Sequence, residues 1–514
     1  MTRLSQFLIL CAAFLFSTVV LAGPWLLPGD LSVKSDIDLL ADAGYIKAPV
    51  MTWPIAWVNI GPSLLSPDNQ HKIQTAPEDV QLAYQRILTL YNANTQLNVP
   101  QYTTTVSGST NLNPFPTFQT QPRADFEPEA SAAYQTADLA ADLDMSYYNS
   151  ANQDATNPVH FDNSYAYAFP GNWAVGVDKM DRWWGPGYSD SMILSQNAAP
   201  LPTITVQRME ADPFETKWLS WIGPWTLTSS LSEDGPAYYS YPTGVDDILY
   251  WFTNISFRPL ESLQFDVSRN VLFSGSQRPM NGQMFLNLIT VQNSWNTSTG
   301  NNAPGSETWE IGTKWSLAPV FNIPMSLYQQ TIFNNDIASA SSLYVPDYTT
   351  LLLGTNFWLH SVLGTFTTYG EFEYSVQKKW WFWGSPAASF PGTNIVPNIY
   401  GGQYPYTYYN NLFGSPLGSE AQGYTLGEIL NETNGNSDTA TLRFLRLNMY
   451  NWGVAGTPGY PFQKQDVIWA SVGRTQMLPY HLGSLSGQLG YLKSVEGSGL
   501  ASGPSTTLTW SESF

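Results

Sequence analysis

The chain has 514 residues, 12% of them charged and 14% aromatic, with a formal net charge of −19. Charged residues are about half the ~25% usual in a soluble domain, and so acidic a surface excludes nucleic acid as a partner and opposes long-range attraction of an acidic polymer. Cys11 is the single cysteine, which excludes disulfides and thiolate metal sites, and no stretch after the first 22 residues approaches the 18 uninterrupted apolar residues of a membrane-spanning helix.

Residues 1–22 read as a secretory signal peptide: Arg3 in a short n-region, an apolar stretch from Phe7 to Val20, and Val20-Leu21-Ala22 before the expected cut at Gly23. Export with 20 Trp, 29 Tyr and few charges points to a transmembrane β-barrel, whose strands turn one face to lipid and whose aromatics form girdles at both interfaces.

Residues 23–94 read as a small helical bundle. Ser35 is the expected cap of a first helix with Ile37, Leu40 and Ala41 on one face and Gly44 at its C′ position. Thr52 is the expected cap of a second, with Pro54 in its first turn and Trp53, Ala56, Trp57 and Ile60 as its stripe. A third opens at Thr75-Ala76-Pro77-Glu78, with Val80, Ala83, Tyr84, Ile87, Leu88 and Tyr91 at helical spacing. Three short amphipathic helices must bury their faces on one another or on the next domain, and the sharper expectation is a plug at the barrel mouth.

From residue 95 to 514 alternation dominates. Trp309, Ile311, Thr313, Trp315 and Leu317 alternate with Glu310, Gly312, Lys314 and Ser316. Phe366, Thr368, Gly370, Phe372 and Tyr374 alternate with Glu371, Glu373 and Ser375. Leu263, Phe265 and Val267 alternate with Gln264, Asp266 and Ser268. Such two-faced strands of about ten residues suit a lipid-facing wall with a polar lumen, lined by residues such as Glu371 and Glu373. The stretch 123–150, rich in Ala and Asp, reads locally as helix. The segment Leu508 to Phe514 ends on an aromatic of an alternating strand, which resembles the signal read by the barrel-assembly machinery. Counting back from a periplasmic C-terminus predicts strands near 505–514, 484–494, 465–474, 442–452 and 420–431. Surface loops then fall at 495–504 and 453–464, and turns at 475–483 and 432–441. The long segment 384–417 falls outside the cell.

Residues 380–419 lack Asp, Glu, Lys and Arg and hold eleven aromatics. Aromatic faces stack on sugar C–H faces, while amides and phenols answer sugar hydroxyls. Tyr400, Tyr404, Tyr406, Tyr408, Tyr409, Asn410 and Asn411 are therefore the candidate polysaccharide-binding residues, with packing within the loop or into the lumen as the alternative for the tyrosines. Trp380 to Trp383 read as outer girdle. No catalytic motif stands out: His71, His160, His360 and His481 are scattered, and neither a metal nor a cofactor is implied.

The chain resembles the outer-membrane capsule-assembly protein Wzi family. The resemblance rests on Lys34-Ser35-Asp36-Ile37-Asp38-Leu39-Leu40 and Thr52-Trp53-Pro54-Ile55-Ala56-Trp57. It continues through Asp181-Arg182-Trp183-Trp184-Gly185-Pro186-Gly187, Ile222-Gly223-Pro224-Trp225-Thr226 and Ile255-Ser256-Phe257-Arg258-Pro259-Leu260, followed by Ser268-Arg269. It implies an all-β, antiparallel outer-membrane barrel of about eighteen strands, with the helical bundle plugging the periplasmic end and a strand within 123–150. It also implies a non-catalytic, lectin-like attachment of capsular polysaccharide or another exopolysaccharide to the cell surface, amid outer-membrane lipids and lipopolysaccharide. The motif residues Arg182, Trp183, Trp184, Arg258 and Arg269 are expected to be structural. A substrate-specific outer-membrane porin is the alternative function.

Overall fold

Strands that are apolar on one side and polar on the other bury nothing as an open sheet. Closed on themselves in lipid, they satisfy every backbone group. The computed structural model describes residues 23–149, 157–233, 248–274, 280–290, 305–334, 349–378, 406–409, 411–418, 421–449, 464–479, 482–496 and 500–513. Residues 1–22, read from sequence as a signal peptide, and Tyr400, Tyr404, Asn410, His481, Trp380 to Trp383 and Phe514 lie outside them.

Among the described residues eighteen antiparallel strands close a barrel, counting one interrupted strand as a single stave. They are β1 Gln101–Thr110, β2 Phe126–Gln135, β3 Leu139–Tyr147, β4 (Val159–His160 continued by Tyr165–Ala168), β5 Trp173–Asp178 and β6 Thr203–Arg208. Next come β7 Trp225–Glu233, β8 Leu249–Leu260, β9 Leu263–Phe273, β10 Gly305–Ser316, β11 Met325–Asn334 and β12 Thr349–Ser361. The circuit ends with β13 Gly364–Lys378, β14 Gln422–Glu432, β15 Ser437–Leu447, β16 Gln465–Met477, β17 Ser484–Glu496 and β18 Gly503–Ser513. β18 returns to β1 with Ser513 opposite Thr103 and Thr506 opposite Thr110. Hydroxyls join across this seam inside the barrel, Thr103 to Ser513, Thr105 to Ser511 and Ser107 to Thr509, at 3.0–3.3 Å.

The two faces separate as the alternation predicts. Val177, Ile204, Leu231, Leu353, Leu426, Phe444, Val472, Leu489 and Leu508 point outward and are exposed, while Thr205, Ser256, Asp266, Glu310, Gln330, Glu371 and Arg443 point inward and are buried. Tight connections such as Glu261–Ser262 and Val362–Leu363 lie at one end, which is the periplasmic end of such barrels.

Helix α1 Leu31–Asp42 lies inside that end with nearly every residue buried. Its cap is Asp30, whose carboxylate accepts from Ser32 N at 2.8 Å and Val33 N at 3.2 Å; Ser35 is mid-helix and bonds Thr367 of β13 instead. Gly44, at φ +79°, ends the helix while Tyr45 N donates to Leu40 O. The short helices α2 Gly61–Leu65 and α3 Pro67–Lys72 and the long α4 Glu78–Asn94 come next, with Ile87 of α4 packed into the core that α1 shares.

Two further local expectations are corrected. Thr52 caps no helix: Thr52–Trp53 pair with Trp183–Trp184 and Ile55–Ala56 with Trp25–Leu26, around a cis Trp53–Pro54 bond. Partners about 130 and about 30 residues away take the backbone groups that a helix would have used. Residues 126–135 and 139–147 are strands, because Glu127, Glu129, Asp142 and Asp144 share the lumen side while Ala132 and Leu143 face out. Sheet pairing on both edges overrides the helix propensity of Ala and Glu.

Candidate functional site

The polar lumen wall meets a polar helix, and the segment carrying Arg182-Trp183-Trp184 joins the two. Lys314 of β10 donates to Asp38 of α1 at 2.8 Å and stands 3.2 Å from Asp42, which also accepts from Ser316 and Ser326. Lys34 lies 3.4 Å from Asp38. Arg86 of α4 grips Asp36 with two 2.6 Å bonds, and Asn431 of β14 donates to the same carboxylate. At the far end of α1, Arg258 donates to Ile46 O at 2.5 Å and Ala41 O at 2.6 Å, a cation set against helix-terminal carbonyls.

Above α1 the connection from β5 to β6 folds into the lumen. Arg182 is buried, with Nη2 donating to Asp178 at 2.8 and 3.0 Å and to Thr205 at 3.1 Å. Trp183 donates its indole N–H to Gly187 O at 3.1 Å and stands edge-on to Phe118, which also meets Trp53. Trp184 is fully buried, and its carbonyl accepts from Gln330 at 2.7 Å. Gly185 sits at φ +141°, and a Cβ there would come within 2.6 Å of the Gln330 amide, so a side chain would strain the backbone and displace that amide. Tyr188 donates its hydroxyl to Asp38 at 2.7 Å and its backbone N–H to Glu371 at 2.6 Å, and stacks on Tyr369 at 4.8 Å. Asp190 pairs with Arg443 of β15.

The described part of the aromatic loop is drawn into the same interior. Tyr406, 3% exposed, donates to Ile193 O at 2.6 Å, accepts from Asn270, and meets Phe413 edge-on. Tyr408 is 8% exposed, and its ring leans on the half-exposed Tyr409 at 4.1 Å. Asn411, also half-exposed, donates to Tyr409 O, while Ser195 and Asn197 tie the motif segment to Gly414 O and Leu412 O. The tyrosines proposed from sequence are thus divided: Tyr406 and Tyr408 pack into the lumen, and Tyr409 lies at its margin.

Arg269 departs from the other motif arginines. It faces out of the barrel, paired with Glu307 at 2.5 Å. Sequence reasoning named Glu371 as lumen-lining but missed Gln330, Arg443, Asn270 and Tyr188. Inward parity on β9, β11 and β15 was the available signal for the first three. Tyr188 lies on a connection and had none. Among the described residues no cluster of His, Asp or Glu suits a metal ion. The interior side chains Trp184, Tyr188, Gln330, Glu371 and Arg443 are all buried.

The family model described as capsule assembly protein Wzi matches residues 100–354. A Klebsiella pneumoniae protein, known as an uncharacterized 55.8 kDa protein in the cps region, is 28% identical over 312 residues. That alignment covers 60% of this chain and 58% of the relative, less than two thirds of its length. The solved Escherichia coli Wzi, described as an outer-membrane protein involved in group 1 capsule assembly and a carbohydrate-binding β-barrel, superposes with a TM-score of 0.75 at 19% identity. The match spans 95% of this chain and 99% of that one, a likeness of fold. With the motif segment tying plug to wall and the family model matching across it, the chain belongs to the Wzi family of capsule assembly proteins.

Proposed function

We propose that this protein stands in the outer membrane, delivered by the cleaved leader 1–22, and holds capsular or other extracellular polysaccharide on the cell surface as a non-catalytic, lectin-like anchor. The filled interior carries the reading. Trp184, Tyr188, Gln330, Glu371 and Arg443 occupy the lumen above α1 with little or no exposure, which suits a surface binder and argues against a conduit. The family's role in capsule assembly and the carbohydrate binding of the E. coli relative supply the ligand class.

Contact falls to the loop that carries Tyr400, Tyr404, Tyr409, Asn410 and Asn411, with the buried Tyr406 and Tyr408 bracing it from beneath. The acidic chain then meets a neutral polymer by stacking, or an acidic one through bridging cations. Lipids, lipopolysaccharide and the barrel-assembly machinery are the remaining partners. Deleting the gene in its native host and assaying polysaccharide on cells and in the medium tests the anchor. Release of polymer with synthesis unchanged is expected; undiminished retention would overturn the reading.

A further inference from the structure

The acyl-facing wall hides a charge pair near its upper rim. On β9 the side chains of Phe265, Val267, Arg269 and Val271 share the outward parity, opposite Asp266, Ser268 and Asn270. Arg269 lies directly across from Trp309 and pairs with Glu307 at 2.5 Å, and its guanidinium stands 5.6 Å from the Trp251 ring and 5.4 Å from the Trp309 ring. A bare guanidinium and carboxylate on a lipid-facing surface are costly.

A short helix covers them. α5 Gly282–Ile289 is capped by Asn281, which accepts from Met284 N at 2.9 Å. Its Met284 and Leu288 are buried against Val271 and Phe273, on the outside of the barrel. Arg269 donates to Leu288 O at 2.7 Å, a cation at the last turn of the helix. The opposite face of α5 is apolar and open: Phe285 is 48%, Leu286 52% and Ile289 51% exposed. No charged residue occurs between Arg278 and Glu307.

Depth points to the occupant of that face. Val271 is eight residues along β9 from the turn at Leu263. At about 3.3 Å per residue and a tilt of about 40°, it stands about 20 Å up an apolar band about 25 Å tall. The open face of α5 therefore continues the lipid-facing surface formed lower down by Ile255, Val267 and Ile311.

We infer that α5 is a membrane element: the connection after β9 doubles back over the outside of the barrel and beds Phe285, Leu286 and Ile289 among outer-leaflet acyl chains. In doing so it roofs the Arg269–Glu307 pair, which in turn fastens the helix by its final turn. The inference concerns the membrane face and holds whatever polymer the loops bind.

Nitroxide labels test it. Cys11 is replaced by serine, and single cysteines are introduced as Phe285→Cys, Leu286→Cys and Ile289→Cys. Each full-length protein is reconstituted into phospholipid vesicles and checked for folding by heat-modifiable gel migration, so that any one folded variant suffices. Reference labels stand at Ile255 on the outward wall and at Asp138 in an exposed turn. Collision rates with dissolved oxygen and with a water-soluble nickel chelate are then compared. The expected result matches Ile255, with oxygen accessibility several-fold above that of nickel. Nickel access like that at Asp138 places the face in water and overturns the inference. Shielding from both reagents means a protein partner, such as a second copy, and overturns it equally.

Discussion

Lys314 and Asp38 lie 276 residues apart in sequence and 2.8 Å apart in space, one on the barrel wall and the other on the helix within it, both almost wholly buried. Asp38 also holds Lys34 and the Tyr188 hydroxyl, so one carboxylate fastens wall, helix and motif segment together. Replacing Asp38 with Asn takes from Lys34 its carboxylate partner and leaves Lys314 with Asp42 alone, and breaking a buried pair in this way costs about 3–5 kcal/mol. The D38N protein should therefore unfold at lower urea concentration in detergent, and a protease should cut sooner within residues 31–94. Adding Lys34→Met to D38N should recover part of the loss.

The same pair has a pH signature. Burial acts to raise the Asp38 carboxyl, but Lys314 and Lys34, with the hydrogen bonds from Lys314 and Tyr188, outweigh it and hold the group below its usual range. Its contribution is thus fully present above the unfolded value of about 3.9 and fades as pH falls through the lower folded value. Protease protection of α1 should be flat from neutral pH to about 5 as far as Asp38 is concerned and should fall in stronger acid. D38N should abolish that share of the acid dependence.

Arg258 is the cation at the C-terminal end of α1. Its bonds to Ile46 O and Ala41 O are charge-assisted, worth about 1.5–3 kcal/mol each when lost. Arg258→Met should loosen the helix while sparing the strands. Hydrogen exchange should accelerate in residues 31–46 and stay unchanged in β15 to β18. Uniform acceleration would instead assign Arg258 to barrel stability.

Gly185 passes the wall at a φ that strains any side chain, with the Gln330 amide against it. Gly185→Ala meets both the φ of +141° and the Gln330 amide, so less protein should reach the heat-modifiable folded form. Relieving the contact by Gln330→Ala should leave the backbone strain in place and restore only part of the yield.

The packed lumen predicts electrical silence. Purified protein in planar bilayers should show no steady conductance; a steady current from the unaltered chain would favour the porin alternative. Deleting residues 31–42 removes one tier of the filling, yet the segment around Trp184 and Tyr188 remains, so current should stay small.

How much of this was legible in sequence depended on whether the partner was local. α4 was readable because Val80, Ala83, Tyr84 and Ile87 form a stripe against a dry neighbour. The outward and inward sets of β9, β10 and β13 obeyed their alternation directly. α1 was harder. Its stripe of Ile37, Leu40 and Ala41 was readable, but the burial of Lys34, Asp36, Asp38 and Asp42 was not, since hydrophilicity alone does not distinguish water from a hydrogen-bonding wall. The turn expected at 432–441 is shorter, since Ser437 to Thr441 pair with β16 and belong to β15. Small polar residues near a rim look like a turn until their neighbour is known. The inward fold of the Trp183–Trp184 segment, and with it the burial of Tyr406, depends on contacts across the whole ring.

The hydroxyls between β18 and β1 bear on how the ring finds its register. A ladder of like rungs carries no number: sliding by two residues would set Thr103 against Ser511, Thr105 against Thr509 and Ser107 against Thr507, still hydroxyl to hydroxyl. The join between the first and last strands is therefore an undiscriminating one. Its alignment is inherited from the other joins, pinned by tight connections and unlike neighbours, so an error elsewhere in the circuit would be sealed in rather than rejected at closure.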